Sequence, residues 1–258
     1  MKGAWLISRT VLVEATRRKE IYAIVVISLG LIGVIMTVNF FKLEGLAKFY
    51  REASLQVMSI ATALTVIVLA ARQLPREFES RTIYPLLAKP ISRFQFLLGK
   101  ILGVMLSALF CYGMFMAVFV AGSLYLGSQL HFGLLAQFIC LQMMQMLILA
   151  SLCFWLSLVL NLDAAITIGV IFYAMSASIT TATSYLYDTA TQAGKAGLIA
   201  LTYILPQLTL FDLSGKCVHA EAWGPIPAGV LLKVMAYGFF YVALYVGCAL
   251  FVFRRKPL

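Results

Sequence analysis

Five stretches of the chain run for about 20 residues or longer without a single Asp, Glu, Lys or Arg: 21–41, 53–71, 101–162, 164–187 and 234–253. A helix rising 1.5 Å per residue needs about 20 apolar residues to cross roughly 30 Å of hydrocarbon, so each stretch is a candidate membrane span. The third is long enough for two spans joined by the turn-like run from Gly127 to Gly133. The fold class that follows is an all-α integral membrane protein: one transmembrane domain over residues 1–258, built as a six-transmembrane-helix bundle. The spans are predicted near 21–41, 55–71, 101–126, 134–160, 164–187 and 230–253. Composition agrees, with 62% of residues hydrophobic and only 12% charged, where soluble domains carry about 25%. A water-soluble globule is excluded.

Six crossings place both ends on one side, and the basic residues choose that side. Of the 20 Lys and Arg, most fall in three places: Lys2, Arg9, Arg17, Arg18 and Lys19 at the start; Arg72, Arg76, Arg81, Lys89, Arg93 and Lys100 between spans 2 and 3; Arg254, Arg255 and Lys256 at the end. By the positive-inside rule these are cytoplasmic, in a multi-pass protein of the cell's inner membrane. The net charge of +10 then reflects topology and attraction to anionic lipid headgroups, and no nucleic-acid partner is expected. Residues 1–20 lack the uninterrupted apolar core of a secretory signal and are expected to be retained. Their row Ala4, Ile7 and Val11 opposes Lys2, Arg9 and Glu20, an interfacial helix pattern. Residues 188–228 form an extracytoplasmic segment whose uncharged part, 196–211, is short and broken by Pro206, so short re-entrant or interfacial helices are expected there.

The residue types needed for catalysis are scarce. The two histidines, His131 and His219, and the ten carboxylates all lie at or beyond the span ends. Cys217 and His219 are too few to hold a metal, and the methionines, including Met143, Met144 and Met146, read as gap-fillers rather than copper ligands. No catalytic residue, bound cofactor or metal is predicted. Proton- or sodium-coupled carriers typically need ionisable groups within the spans, which disfavours a secondary carrier. Asp163, beside Asn161 in a short turn, reads as a helix cap. Gln142 and Gln145 on span 4, with Ser178 and Thr181 on span 5, are candidates for a polar pathway. Hydrogen bonding between helices is the favoured reading of the glutamines, and close helix packing is the default reading of the small residues on span 5 and of Gly99, Gly103 and Ser107.

The stretch 72–100, RQLPREFESRTIYPLLAKPISRFQFLLGK, differs from its surroundings in charge and in its three prolines. Pro75 can open a helix at its first turn, Glu77 precedes Arg81 by one turn in the favourable order, and Pro85 ends the segment. A short helix over 76–84 lying along the inner face is the expectation, with Phe78 and Thr82 on one side. Arg93 and Lys100 are expected at headgroup level as span 3 begins. The same residues would also suit a basic interfacial anchor.

The run Glu79-Ser-Arg-Thr82-Ile-Tyr-Pro-Leu86-Leu87-Ala-Lys-Pro90-Ile-Ser-Arg93, followed by Phe96 and Leu-Gly-Lys at 98–100, resembles the loop of ABC type-2 transporter permeases. The likeness includes the branch named for multi-copper enzyme maturation and nitrous-oxide-reductase assembly. Glu14, Arg17 and Arg18 before the first span are similar too, and one departure is Arg81, where many members carry Gly. The resemblance implies that 76–93 holds a coupling helix, with Arg76, Glu77, Phe78, Glu79, Arg81, Thr82, Pro85, Leu86, Pro90 and Arg93 docking on a separate ABC ATP-binding subunit. It also implies an elbow helix over 1–20 and a second permease copy, identical or paralogous, across a central pathway.

No G-x-x-x-x-G-K-[ST] motif is present, so ATP and Mg²⁺ would be bound by the partner and this chain would not be an enzyme. The function implied is an exporter permease that moves a substrate outward or extracts it from the membrane lipid, the substrate being unidentified. The rival is a membrane anchor or assembly scaffold with no pathway of its own.

Overall fold

The computed structural model describes residues 7–13, 26, 29–30, 32–34, 46–79, 92–127, 131–189, 191–219 and 224–255. Among them five helices are long and apolar enough to cross a membrane. They are α1 (Leu46–Glu79), α2 (Arg93–Tyr125), α3 (Phe132–Val159), α4 (Leu162–Thr189) and, after the shorter α5 (Gln192–Ile204) and α6 (Ser214–Val218), α7 (Ala228–Arg255). Each long helix covers one of the last five expected spans, two of which run one residue past its end. The first, 21–41, lies mostly outside the described residues; positions 26, 29–30 and 32–34 within it are helical, and Ile32 is buried.

The helix limits follow local chemistry. Ser92 caps α2 in a reciprocal box: its hydroxyl accepts from the Gln95 amide at 3.2 Å, and its own amide donates to the Gln95 side chain at 3.3 Å. At the other end of α2 the chain turns at Gly127, whose φ of 67° lies in the left-handed region open to glycine. Asp163 sits in the first turn of α4, where its charge favours the helix dipole. α5 stops at Ile204, two residues short of Pro206, and a single 3-10 turn, Leu208–Phe211, follows.

One expectation is corrected. Pro75 does not open a separate helix over 76–84; α1 runs straight through it to Glu79. The proline removes one amide donor, to the carbonyl four residues back, a loss that packed helices near a membrane surface tolerate because neighbours hold the turn in place. Here Glu77 and Phe78 are both anchored by other helices, as described below.

α1 and α3 form the centre of the bundle. α3 packs most extensively against α7 and α1, while α1 also meets α2 and α4. Two glycines mark the closest approaches. A Cβ on Gly238 of α7 would lie 2.8 Å from Met144 of α3, so only hydrogen fits there. At Gly103 of α2 an added Cβ would lie 2.5 Å from Val11 Cβ. Val11 is therefore packed against α2; Ile7, on the same apolar row of the amino-terminal helical segment, is also buried, and Arg9 is exposed.

Opposite the basic end of the bundle, the short elements are fastened to the long helices. The Gln137 side chain on α3 donates to the Ile226 carbonyl at 3.0 Å and accepts from its amide at 2.8 Å, which fixes the entry into α7. Thr209 donates to Thr180 at 3.1 Å, and the Gln207 amide donates to the Tyr237 hydroxyl at 3.0 Å.

Candidate functional site

The basic ends of α1, α2 and α7 meet in one cluster that combines two cations, one carboxylate and three aromatic rings. Helix α1 arrives with Gln73, Glu77 and Phe78 in its last two turns. Helix α2 departs with Arg93, Phe96 and Lys100 in its first two, and α7 ends with Phe253, Arg254 and Arg255.

Lys100 is the centre of the cluster. It is only 4% exposed, so it faces the interior of the bundle rather than its open surface. Its ammonium forms an ion pair with Glu77 and donates to Gln73 Oε1 at 3.1 Å. It also lies 5.8 Å from the centre of the Phe96 ring, where the ring quadrupole attracts a cation. Burying an ammonium is costly unless an opposite charge and hydrogen bonds replace its water, and Glu77 and Gln73 supply both. Glu77 is thereby engaged across helices rather than along its own; the other oxygen of its carboxylate is buried without a hydrogen-bond partner.

Arg93 ties the third helix in. Its guanidinium donates to the carbonyls of Phe253 at 2.8 Å and Arg254 at 3.1 Å, two of the orphan acceptors that every helix leaves at its carboxyl end. It lies 5.5 Å from the Phe253 ring centre, and that ring stacks on Phe96 and meets Phe78 edge-on, at 6.1 and 6.2 Å between centroids. The terminus of α7 is thus held between the start of α2 and the end of α1.

The predicted site residues fall into three groups. Glu77, Phe78 and Arg93 belong to the cluster, and Arg76, in the last turn of α1, is exposed. Glu79 closes α1. Arg81, Thr82, Pro85, Leu86 and Pro90 lie outside the described residues. Lys100, Gln73 and the α7 carbonyls were not among the predicted set. The signal for Lys100 was its place beyond Leu97, Leu98 and Gly99, already inside an apolar helix.

The pathway candidates do not converge. Gln142 and Gln145 are buried inside the bundle, at 0% and 5% exposure, whereas Ser178 and Thr181 lie on the exposed face of α4. On the protein-facing side of α4, Ser176 and Thr180 line a small pocket with Phe172, Ile179, Pro206 and Gln207. Cys217 and His219 also part company. Cys217 is buried, its thiol pushed up to about 12 by that burial and then by the nearby Asp212 charge, and His219 is exposed. Among the described residues no three metal-ligating side chains come together.

The cluster contains no nucleophile poised beside a base. What it provides is connection: the ion pair, the guanidinium and the stacked rings join α1, α2 and α7 at this end. Residues 16–258, which include all five long helices, match the family described as ABC-2 family transporter protein. A comparison with curated proteins finds no match.

Proposed function

Because this multi-pass membrane chain belongs to the ABC-2 transporter family, we propose that it is the permease subunit of an ABC exporter, driven by ATP hydrolysis on a separate ATP-binding subunit. The observation that carries the reading is the convergence of three helix ends on the two flanks of the 80–91 segment. On this reading the tip residues Glu79, Arg81, Thr82, Pro85, Leu86 and Pro90 contact the ATPase. Glu77, Phe78 and Arg93 pass its movement on, and Arg76 lies between the two groups.

Closure of the partner around ATP and Mg²⁺ would then shift α1, α2 and α7 together and exchange inward- and outward-facing arrangements. The basic end faces the cytoplasm of the inner membrane, with both termini there. Residues 1–20 form an elbow helix at that surface, and 188–228 lie on the far side. A second copy, identical or paralogous, completes the pathway. Cargo moves outward or is extracted from the lipid.

The test is purification of the full chain from its own membrane in mild detergent, followed by assay of any nucleotide-binding partner that accompanies it. A vanadate-sensitive ATPase that co-purifies with the wild type and is lost or uncoupled with Glu79→Arg supports the proposal. Phe78→Asp is the less selective variant, since Phe78 also packs on Phe253. A chain that purifies alone, with no effect of Glu79→Arg on any cellular transport phenotype, would instead favour the anchor or scaffold.

A further inference from the structure

Helix α1 buries a cation, Arg51, at the end opposite the Glu77–Lys100 pair. Arg51 is 3% exposed. Its Nε is buried with no hydrogen-bond partner, and among the described residues no carboxylate pairs with it. The nearest acidic residue in sequence, Glu52, points a third of a turn away and is exposed, while Asp212 accepts from the Ser214 amide. Arg51 shares a helical face with Ser54, three residues on, whose fully buried hydroxyl has the Tyr50 hydroxyl, one turn back, as its polar neighbour. Tyr50 packs this end of α1 onto α2, its ring stacked on Phe119 and its hydroxyl donating to the Val118 carbonyl at 3.2 Å. One turn beyond Phe119, Ser123 carries a fully buried hydroxyl with no hydrogen-bond partner.

A guanidinium stays charged in proteins and so cannot escape an apolar setting by losing its proton. Lysine at such a place can neutralise; arginine must find an anion. Lys100, the other buried cation on the α1–α2 seam, has a carboxylate and an amide oxygen. Arg51 has neither. Its depth suggests where the anion comes from: Arg51 and Arg72 bracket the uncharged run of α1 and are about 31 Å apart along the helix, close to the thickness of the hydrocarbon. Arg51 therefore stands at the level of lipid headgroups while facing the interior of the bundle.

We infer that Arg51, with the hydroxyl of Ser54, forms an oxyanion-binding site that receives a phosphate or carboxylate group from outside the chain. Planar donors in a fixed fork suit such a group in two-point contact. The inference is independent of the ATPase reading, since it concerns binding by the isolated permease and would stand or fall without any partner.

The experiment is thermal unfolding of the full chain in dodecylmaltoside, whose sugar headgroup carries no oxyanion. Short-chain phosphatidylglycerol is added in one arm, and inorganic phosphate in place of chloride at constant ionic strength in another. At saturating probe the wild type should gain about 5 °C. Arg51→Met should gain nothing, yet be at least as stable as the wild type in detergent alone, because the charge it removes had no partner. Arg51→Lys should keep a reduced gain. A rise with the lipid only assigns the oxyanion to a headgroup; a rise with phosphate as well assigns it to a water-accessible ligand. No rise in the wild type with either probe, or an equal rise in Arg51→Met, would overturn the inference, and the wild-type arm decides even if the methionine variant does not fold.

Discussion

Replacing Lys100 by Met should be the most damaging single change at the basic end, and the reason lies in what it leaves behind. Lys100 and Glu77 have side-chain exposures of 5% and 15%, so neither regains a full hydration shell when the other is lost. Breaking a buried pair by removing one partner costs about 3–5 kcal/mol, and the methionine variant belongs in that range. Glu77 already has one oxygen without a hydrogen-bond partner and would lose the cation on the other. Glu77→Gln should cost less, about 2 kcal/mol, because Lys100 keeps its bond to Gln73 and can use the new amide oxygen. Removing both, as Glu77→Leu with Lys100→Met, should bring the cost to within about 1 kcal/mol of the wild type, since an apolar pair of similar volume has no charge to desolvate. The assay is a double-mutant cycle of Glu77→Leu and Lys100→Met, singly and together, on the unfolding of the purified chain in micelles. Its signature is a coupling of about 2 kcal/mol or more. Single changes that each cost under about 1 kcal/mol and add without coupling would mean that water reaches the pair. The claim that it locks α1 to α2 would then fail.

Two further outcomes are expected. Arg93→Gln removes two charge-assisted bonds to the last carbonyls of α7; with Arg93 half-exposed, the loss should be about 1–2 kcal/mol and local. Hydrogen exchange should therefore quicken in the last turn of α7 and not in its middle, and uniform quickening would contradict the clamp. Gly238→Ala forces a Cβ to within 2.8 Å of Met144 and should cost about 1–3 kcal/mol in thermal unfolding. Most of it should return when Met144→Ala is added, and a neutral Gly238→Ala would mean that α3 and α7 are less tightly packed.

The spans were readable because the physics that sets them is local. A run of about 20 residues without charge has few alternatives, and five of the six predicted runs coincide with helices to within a few residues at most ends. The larger differences arise where a helix continues past the uncharged run. α1 extends from Leu46 to Glu79 around the run 53–71, and α2 begins at Arg93 rather than 101. In sequence a charge marks the end of the apolar stretch, but helices cross the membrane boundary, and Pro75 lies where a proline is tolerated.

The site was legible in its position but not in its connections. The loop's basic character drew attention to 72–100, yet the partner of Glu77 proved to be Lys100, 23 residues away on the next helix, and that of Arg93 a pair of backbone carbonyls on α7. Backbone acceptors have no signature in sequence. For α4 the missing information was helical phase. Small and hydroxylated residues occupy every side of it between Ala174 and Ser184, so nothing in the pattern distinguished the protein-facing Ser176 and Thr180 from the exposed Ser178 and Thr181.

The same helix carries a balanced buried cation's partner at one end and an unbalanced buried cation at the other, and that asymmetry has a mechanical consequence. Thr62 and Thr65, midway along α1, return their hydroxyls to their own helix, to the Met58 and Ala61 carbonyls at 2.8 Å. Between its two ends α1 is therefore joined to its neighbours by apolar packing, which permits small sliding more readily than directional bonds do. Glu77 fixes the basic end to α2, and α2 fixes α7 through Arg93. On the proposed function, motion introduced at 80–91 would move this fixed group together, and its effect at Arg51 would depend on whether α1 stays rigid. Pro75 is the residue that decides, since it deletes one hydrogen bond four residues from the helix end. Bending there would leave Arg51 still, while a straight α1 would carry the displacement some 25 residues to the oxyanion site. The clamp on Glu77 and Phe78, on the loop side of Pro75, means that α2 and α7 follow the loop in either case. The state of Arg51 then separates the two possibilities, because only a straight α1 links its anion affinity to the loop.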